Sequence, residues 1–301
     1  MFSMCLGDVR QGGVLSGMLF NIYINPIITA LKNSDLGCHI KDFYIGCIFY
    51  ADDVILLSAS VSKLQKMLDI FSSVGSTIDV ALNPVKSKCL IIGPNFNTVP
   101  SLVSIGNIHL QWTRQIKYLG IILSNAKSFQ VDFSDVRRKF FSAVNSILSK
   151  CTFTSDLVKL QLLESHCLPI LTYAIESLNL TKLQLNQLNA WWNSVYRKIF
   201  GFHKWESVRE LIFMLGRLDL HHIVNLRSLK FIFTISKLVE INSSDVNNYY
   251  NSYTRSPECY ALFSLYGCNF DWPFHRCKDK INMSFSRIEP VVRSINAYDS
   301  D

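Results

Sequence analysis

Apolar positions recur at helical spacing over residues 14–33 (VLSGMLFNIYINPIITALKN), where Leu15, Leu19, Ile22, Tyr23 and Pro26 fall near one face. The spacing predicts a helix that Pro26 bends or staggers. Two short, β-branched apolar runs, 45–50 (IGCIFY) and 54–58 (VILLS), flank Ala51, Asp52 and Asp53. They predict a tight β-hairpin with an acidic tip, and their hydrocarbon content predicts strands buried on both faces. Residues 61–74 read as an amphipathic helix with a stripe of Leu64, Met67, Leu68 and Phe71, stopped by Gly75.

Strands are predicted over 87–92 (SKCLII) and 116–123 (IKYLGIIL), with another near 103–111, separated by turn-rich stretches such as GPNFNTVP. Past residue 128 the periodicity becomes helical, near 132–150, 156–167, 181–200, 206–215 and 219–240. The last sixty residues are irregular. No internal repeat or low-complexity tract is present. The break at 124–128 divides an α+β unit from a helical one.

Composition narrows the class. The chain has 301 residues, 49% hydrophobic and 18% charged, which excludes a disordered protein and allows two domains. The best apolar run, 43–59, is interrupted by Asp52 and Asp53, so no membrane span is expected. The first residues, MFSMCLGDVR, lack the basic and then apolar order of a secretory signal. Nine scattered cysteines then read as reduced thiols of an intracellular protein, in nucleus or cytoplasm alike. Cys259, Cys268, His275 and Cys277 lack the short Cys-x-x-Cys spacing of a zinc knuckle.

Charge is uneven. Net charge is +7 overall; residues 1–150 carry 14 basic and 9 acidic residues, a net +5, and every acid there is aspartate. The excess suits a polyanionic partner or simply a mildly basic surface. Between 191 and 209, Trp191, Trp192, Tyr196, Phe200, Phe202 and Trp205 interleave with Arg197, Lys198, Lys204 and Arg209. Such a mixture can stack bases and neutralise phosphates, although aromatics at helical spacing also build cores.

The chemistry concentrates at Phe49-Tyr50-Ala51-Asp52-Asp53-Val54. Two adjacent carboxylates repel unless water or a cation covers them. Asp-Asp is also ordinary turn chemistry. Presented between two apolar strands, the pair can hold hard divalent cations, which take carboxylate oxygens together with substrate phosphates. Two such ions could stabilise the attacking and leaving oxygens of a nucleotidyl transfer.

This hairpin resembles the catalytic hairpin of reverse transcriptases, and its neighbours resemble the family's other motifs in order and spacing. Arg10-Gln11-Gly12-Gly13-Val14-Leu15-Ser16, followed by Leu19-Phe20-Asn21-Ile22-Tyr23, resembles the glycine loop and helix before the hairpin. Asn83-Pro84-Val85-Lys86-Ser87-Lys88 resembles the lysine motif after it, and Lys117-Tyr118-Leu119-Gly120 the motif that grips the primer. The pattern is that of non-LTR (LINE-type) retrotransposons. Residues 186–235 resemble the region beyond the thumb in such elements.

The resemblance implies an α+β fold: a partial palm over 1–124, a helical thumb-like region over 125–200, and a helical to irregular region over 201–301. It implies RNA-directed DNA synthesis in the parent protein, with an RNA template, a DNA primer and deoxynucleotides as partners and Mg²⁺ or Mn²⁺ as cofactor. Asp52 and Asp53 would be the metal ligands. Arg10, Gln11, Gly12, Tyr50 and Ala51 would contact nucleotide or template, and Tyr118, Leu119 and Gly120 would abut the primer. Lys86 would be a cation beside the leaving pyrophosphate, or else a strand-edge lysine that blocks edge pairing.

The family has a further aspartate on a strand well upstream of the glycine loop. Only ten residues precede Gln11 here, with Asp8 the sole acid among them, and Gly17-Met18 stands where Pro-Leu is usual. The resemblance therefore implies a polymerase truncated at its N-terminus that does not extend primers alone and exposes an apolar edge or face. A non-catalytic nucleic-acid-binding remnant or pseudogene product is the alternative.

Overall fold

The computed structural model describes residues 2–5, 15–40, 43–241 and 278, and the chain divides into two units, Met1–Phe133 and Ser134–Asp301. The first unit begins with β1 (Phe2–Cys5), α1 (Ser16–Asn33), β2 (His39–Ile40), β3 (Phe43–Tyr44), β4 (Cys47–Tyr50), β5 (Asp53–Leu56), α2 (Val61–Thr77) and β6 (Ala81–Asn83). An antiparallel sheet takes four of these strands in the order β4-β5-β1-β6. The small β2–β3 hairpin pairs by itself. Without it the order is β-α-β-β-α-β, a split βαβ arrangement. The central strand β1 carries no turn or periodicity signal and escapes the sequence pattern. Its Ser3 pairs with Asp53 on one side and Asn83 on the other.

α1 packs on this sheet by Phe20, Ile24, Ile27 and Leu31. This corrects the predicted stripe: Leu15, Leu19, Ile22 and Tyr23 are exposed. The helix carries two apolar stripes, and only the one through Ile27 and Leu31 continues past Pro26. Pro26 lies on the exposed side, where water can satisfy the carbonyl that loses its helical donor. Full burial of each large aliphatic side chain contributes about 1.5–3 kcal/mol.

α2 starts at Ser60, whose side chain accepts the Lys63 N–H at 3.2 Å. It buries Met67, Leu68 and Phe71, and Leu64 is half-buried. Gly75 does not stop it, because the helix runs on to Thr77. The returning chain instead crosses Gly75 so closely that a Cβ there would stand 2.3 Å from the Val80 carbonyl oxygen. The Val80 N–H donates to the Gly75 carbonyl at 2.9 Å.

Short strands complete the unit: β7 (Lys88–Cys89), β8 (Ser104–Ile105), β9 (Ile108–His109), β10 (Gln111–Trp112), β11 (Gln115–Tyr118), β12 (Ile121–Ser124) and β13 (Gln130–Asp132). β10 runs parallel to β7, β8 and β9 form a hairpin, and β11-β12-β13 form an antiparallel sheet. The stretch 116–123, predicted as one strand, folds back on itself. Leu119 and Gly120 adopt φ of 44° and 83°, the left-handed conformation a two-residue hairpin turn requires.

The second unit contains α3 (Ser134–Lys150), α4 (Asp156–His166), α5 (Leu168–Thr172), a 3-10 turn (Ile175–Ser177), α6 (Lys182–Phe200), α7 (Arg209–Met214) and α8 (Leu220–Ile241). Thr181 and Gln184 form a capping box at the start of α6. Phe140, Leu160, Leu163, Trp192 and Tyr196 are buried, with Trp192 edge-on to Tyr196 at 5.8 Å between ring centres. The chain is thus mixed helix and sheet. No helix among the described residues is long and apolar enough to cross a membrane. Cys259, Cys268, His275 and Cys277 lie outside the described residues.

Candidate active site

The acidic tip is built by a two-residue turn. Tyr50 pairs with Asp53, leaving Ala51 and Asp52 to turn the chain, with Ala51 at φ 51°. Asp52 is therefore the turn residue and Asp53 the first residue of β5, a shorter tip than the three residues predicted. Opposed residues of an antiparallel pair share a face. Cys47, Leu56, Phe49 and Val54 form the inner face, with the Phe49 ring stacked on Phe71 of α2 at 6.2 Å. Ile48, Ile55, Tyr50 and Asp53 form the outer face. Ile48 and Tyr50 are exposed, Tyr50 at 61%, so the expectation of strands buried on both faces fails. Among the described residues of the first unit, the helices that pack on the sheet, α1 and α2, meet its inner face.

Over that outer face comes the β11–β12 hairpin. A cavity of about 110 Å³ lies where the end of β5 meets this hairpin, lined by Ile55, Leu56 and Leu57, by Leu64 of α2, by residues 88–90 and Ile92, and by Ile116, Tyr118 and Leu123. Burial, the Asp53 charge and Tyr50 together raise the Tyr118 hydroxyl above its ordinary pKa, which places Tyr118 in the field of the acidic tip. Burial, and next the neighbouring Asp52, raise the Asp53 carboxyl as well. Asp52 itself is exposed.

The third piece comes from β6. Asn83 stands in register with Asp53 across Ser3, two strand spacings or roughly 10 Å away. Its Oδ1 accepts the N–H groups of Val85 and Lys86 at 3.0 and 3.2 Å, and its carbonyl accepts the Ser87 N–H and hydroxyl at 3.0 and 2.6 Å. These bonds fix the turn that carries the exposed Lys86. The role of Asn83, and the cavity residues Ile55, Leu57 and Leu90, escape sequence reasoning. The turn-forming Asn-Pro pair was the one available signal.

Tyr50, Ala51, Asp52, Asp53 and Tyr118 are thus gathered at one end of the first unit, with Leu119 and Gly120 forming the turn next to Tyr118. Arg10, Gln11 and Gly12 lie outside the described residues. Among the described residues no group of three or more His, Cys, Asp or Glu side chains is arranged so that it could hold a metal ion. Asp52 and Asp53 nevertheless match Mg²⁺ in kind, since that ion takes one or two carboxylates and completes its shell with phosphate and water. Burial and the Asp52 charge raise the Asp53 carboxyl, and a cation bound there would favour its charged form.

Residues 5–123 match the family described as "Reverse transcriptase (RNA-dependent DNA polymerase)". The chain is 24% identical over 213 residues to the RNA-directed DNA polymerase from mobile element jockey of Drosophila funebris, covering 67% of this chain and 23% of that protein. It is 34% identical over 90 residues to the Pol polyprotein of the type-1 retrotransposable element R2 of Bradysia coprophila, covering 30% of this chain and 10% of that one. A corresponding R2 polyprotein of Popillia japonica is 26% identical over 200 residues, covering 64% and 32%. The chain thus spans from 10% to 32% of the length of these relatives.

Proposed function

We propose that this chain, whose residues 5–123 are a LINE-type reverse transcriptase segment, contributes palm residues to the RNA-directed DNA synthesis of a non-LTR retrotransposon. The observation that carries this reading is the meeting of β5, which follows the Asp52–Asp53 tip, with the β11–β12 hairpin around one cavity shared by Ile55, Leu57, Ile116, Tyr118 and Leu123. The β-α-β-β-α-β sheet is then the palm. The segment 125–200 corresponds to a thumb-like region and 201–301 to a helical to irregular C-terminal region, with residues 186–235 resembling the region beyond the thumb. Template RNA, primer DNA and deoxynucleotides are the partners this assignment brings.

Asp52 and Asp53 are the groups that would hold Mg²⁺ or Mn²⁺. When bound, the ion stabilises charge on the attacking and leaving oxygens of nucleotidyl transfer. The protein's own part is positional. The two-residue turn aims Asp52 outward, β5 anchors Asp53, and the Tyr118–Gly120 hairpin offers a wall against which a primer end can rest. The Asn83-capped turn holds Lys86 near the row of Asp53, where a cation suits a departing pyrophosphate. Arg10, Gln11 and Gly12 remain the proposed nucleotide and template contacts by resemblance.

The test separates metal binding from turnover. Mn²⁺ titration followed by electron paramagnetic resonance should show a weak site in the chain that disappears in Asp52→Asn and in Asp53→Asn. Equal Mn²⁺ binding in all three proteins would sink the assignment. In a primer-extension assay on an RNA template, Asp52→Asn should lower synthesis on the order of 10²–10³, the cost of losing one preorganised group. Equal extension by the parent and by Asp52→Asn would remove the carboxylate pair from the catalytic role.

A further inference from the structure

The interleaved aromatic and basic stretch is resolved by the structure into two kinds of residue. Trp192 and Tyr196 are fully buried in the second unit, and their rings serve the core. Trp205 is the opposite: it is 81% exposed, yet its indole is stacked on the imidazole of His203, with ring centres 4.8 Å apart and planes within 2°.

The loop presenting this pair is fixed by its backbone. Gly201 ends α6 in the left-handed conformation, at φ 73°. The Phe202 N–H turns back to the Arg197 carbonyl at 3.1 Å. The Glu206 carboxylate accepts the His203 N–H, and the Glu206 N–H donates to the His203 carbonyl at 3.2 Å. The Arg197 guanidinium Nε–H donates to the Glu206 carbonyl at 2.9 Å. The two rings are therefore held ready, one face of the indole covered and the other open to solvent. Lys204 and Arg209 are exposed beside them. Between 197 and 210 the charge is four basic residues (Arg197, Lys198, Lys204, Arg209) against Glu206 and Glu210, and the Glu206 carboxylate is already engaged.

An ordered, solvent-facing aromatic plane beside free cations has the chemistry of a base-stacking platform. We propose that the His203–Trp205 stack binds single-stranded nucleic acid, with an unpaired base on the open indole face and Lys204 and Arg209 against the flanking phosphates. Every base has a π-face, so the platform is indifferent to sequence, but it needs a base that is not already stacked in a duplex. The choice of nucleic acid as partner leans on the polymerase reading above. The platform itself shares no residue with the Asp52–Asp53 tip, so either can fail alone.

The experiment is fluorescence anisotropy with labelled U12, T12 and a 12-base-pair duplex, using the full chain. Trp205→Ala should weaken binding to U12 and T12 about tenfold, the scale of one base–aromatic stack. Binding to the duplex, and the slope of affinity against salt, should be unchanged. Trp205→Phe, which keeps a π-face, should recover most of the loss. Lys204→Ala should lower the salt slope by about one phosphate contact. The oligonucleotide measurements are made without added divalent metal, which keeps this result independent of the metal site. The proposal is overturned if the chain binds neither oligonucleotide at low salt. It is equally overturned if Trp205→Ala binds them as tightly as the parent, or loses single strand and duplex alike. Trp205 is exposed, so its replacement should leave the melting curve intact, and that measurement guards against a folding artefact.

Discussion

Asp53 carries an electrostatic cost that the fold imposes. Its carboxyl is raised by burial and by Asp52, so the folded state disfavours the charged form relative to the unfolded chain. A group of this kind contributes stability that is fully present below its unfolded pKa of about 3.9 and lost as pH rises through the folded value. Asp53→Asn should therefore melt higher than the parent at pH 7, and the difference should vanish below pH about 4. A gain that persists in acid would mean that asparagine stabilises by something other than relief of charge. Leu119 supplies a second case. A non-glycine residue in the left-handed conformation costs about 1–2 kcal/mol. Leu119→Asn, a residue that tolerates this region, should raise the melting temperature, whereas Gly120→Val should lower it. Calorimetry on the two variants checks the sign of each. The motif around Leu119 was legible as a resemblance, but its turn was not, because IKYLGIIL reads as one unbroken apolar run and the fold-back lies in two backbone torsions.

Among the elements, α1 shows where periodicity stops informing. Both of its stripes satisfy helical spacing, so the helix was readable and its buried face was not. The choice rests with the sheet, which takes Phe20, Ile24, Ile27 and Leu31, and leaves Leu15, Met18, Leu19 and Ile22 at i, i+3, i+4, i+7 facing solvent. A contiguous exposed apolar stripe favours association. Leu19→Lys together with Ile22→Lys should raise solubility in a precipitation assay with little change in melting temperature. Ile27→Ala should cost about 2–5 kcal/mol of stability, as the emptied core site collapses only in part. The reverse pattern would mean that the helix is docked the other way round. α2 and its stripe were legible because Met67, Leu68 and Phe71 form a single apolar face. Gly75 misleads for a physical reason: a glycine that admits a passing backbone looks the same in sequence as one that ends a helix.

For the whole molecule, the order of motifs pointed to the family, and the hairpin, both long helices of the first unit and five helices of the second were legible in local pattern. Assembly of the site was not. The central place of β1 between Asp53 and Asn83, and the approach of Tyr118 to the acidic tip, are long-range pairings that no local window contains. The division of the 191–209 aromatics into core and surface is likewise a property of the packed helices rather than of spacing. That division has an optical consequence. Trp192 is sealed in the core while Trp205 stands in solvent, so an aqueous quencher such as iodide reaches the second indole and spares the first. The chain thus carries an intrinsic lamp at the proposed platform. A base settling on its open face would dim that emission and shield what remains from iodide, so that the arrival of a strand could be watched without attaching a dye.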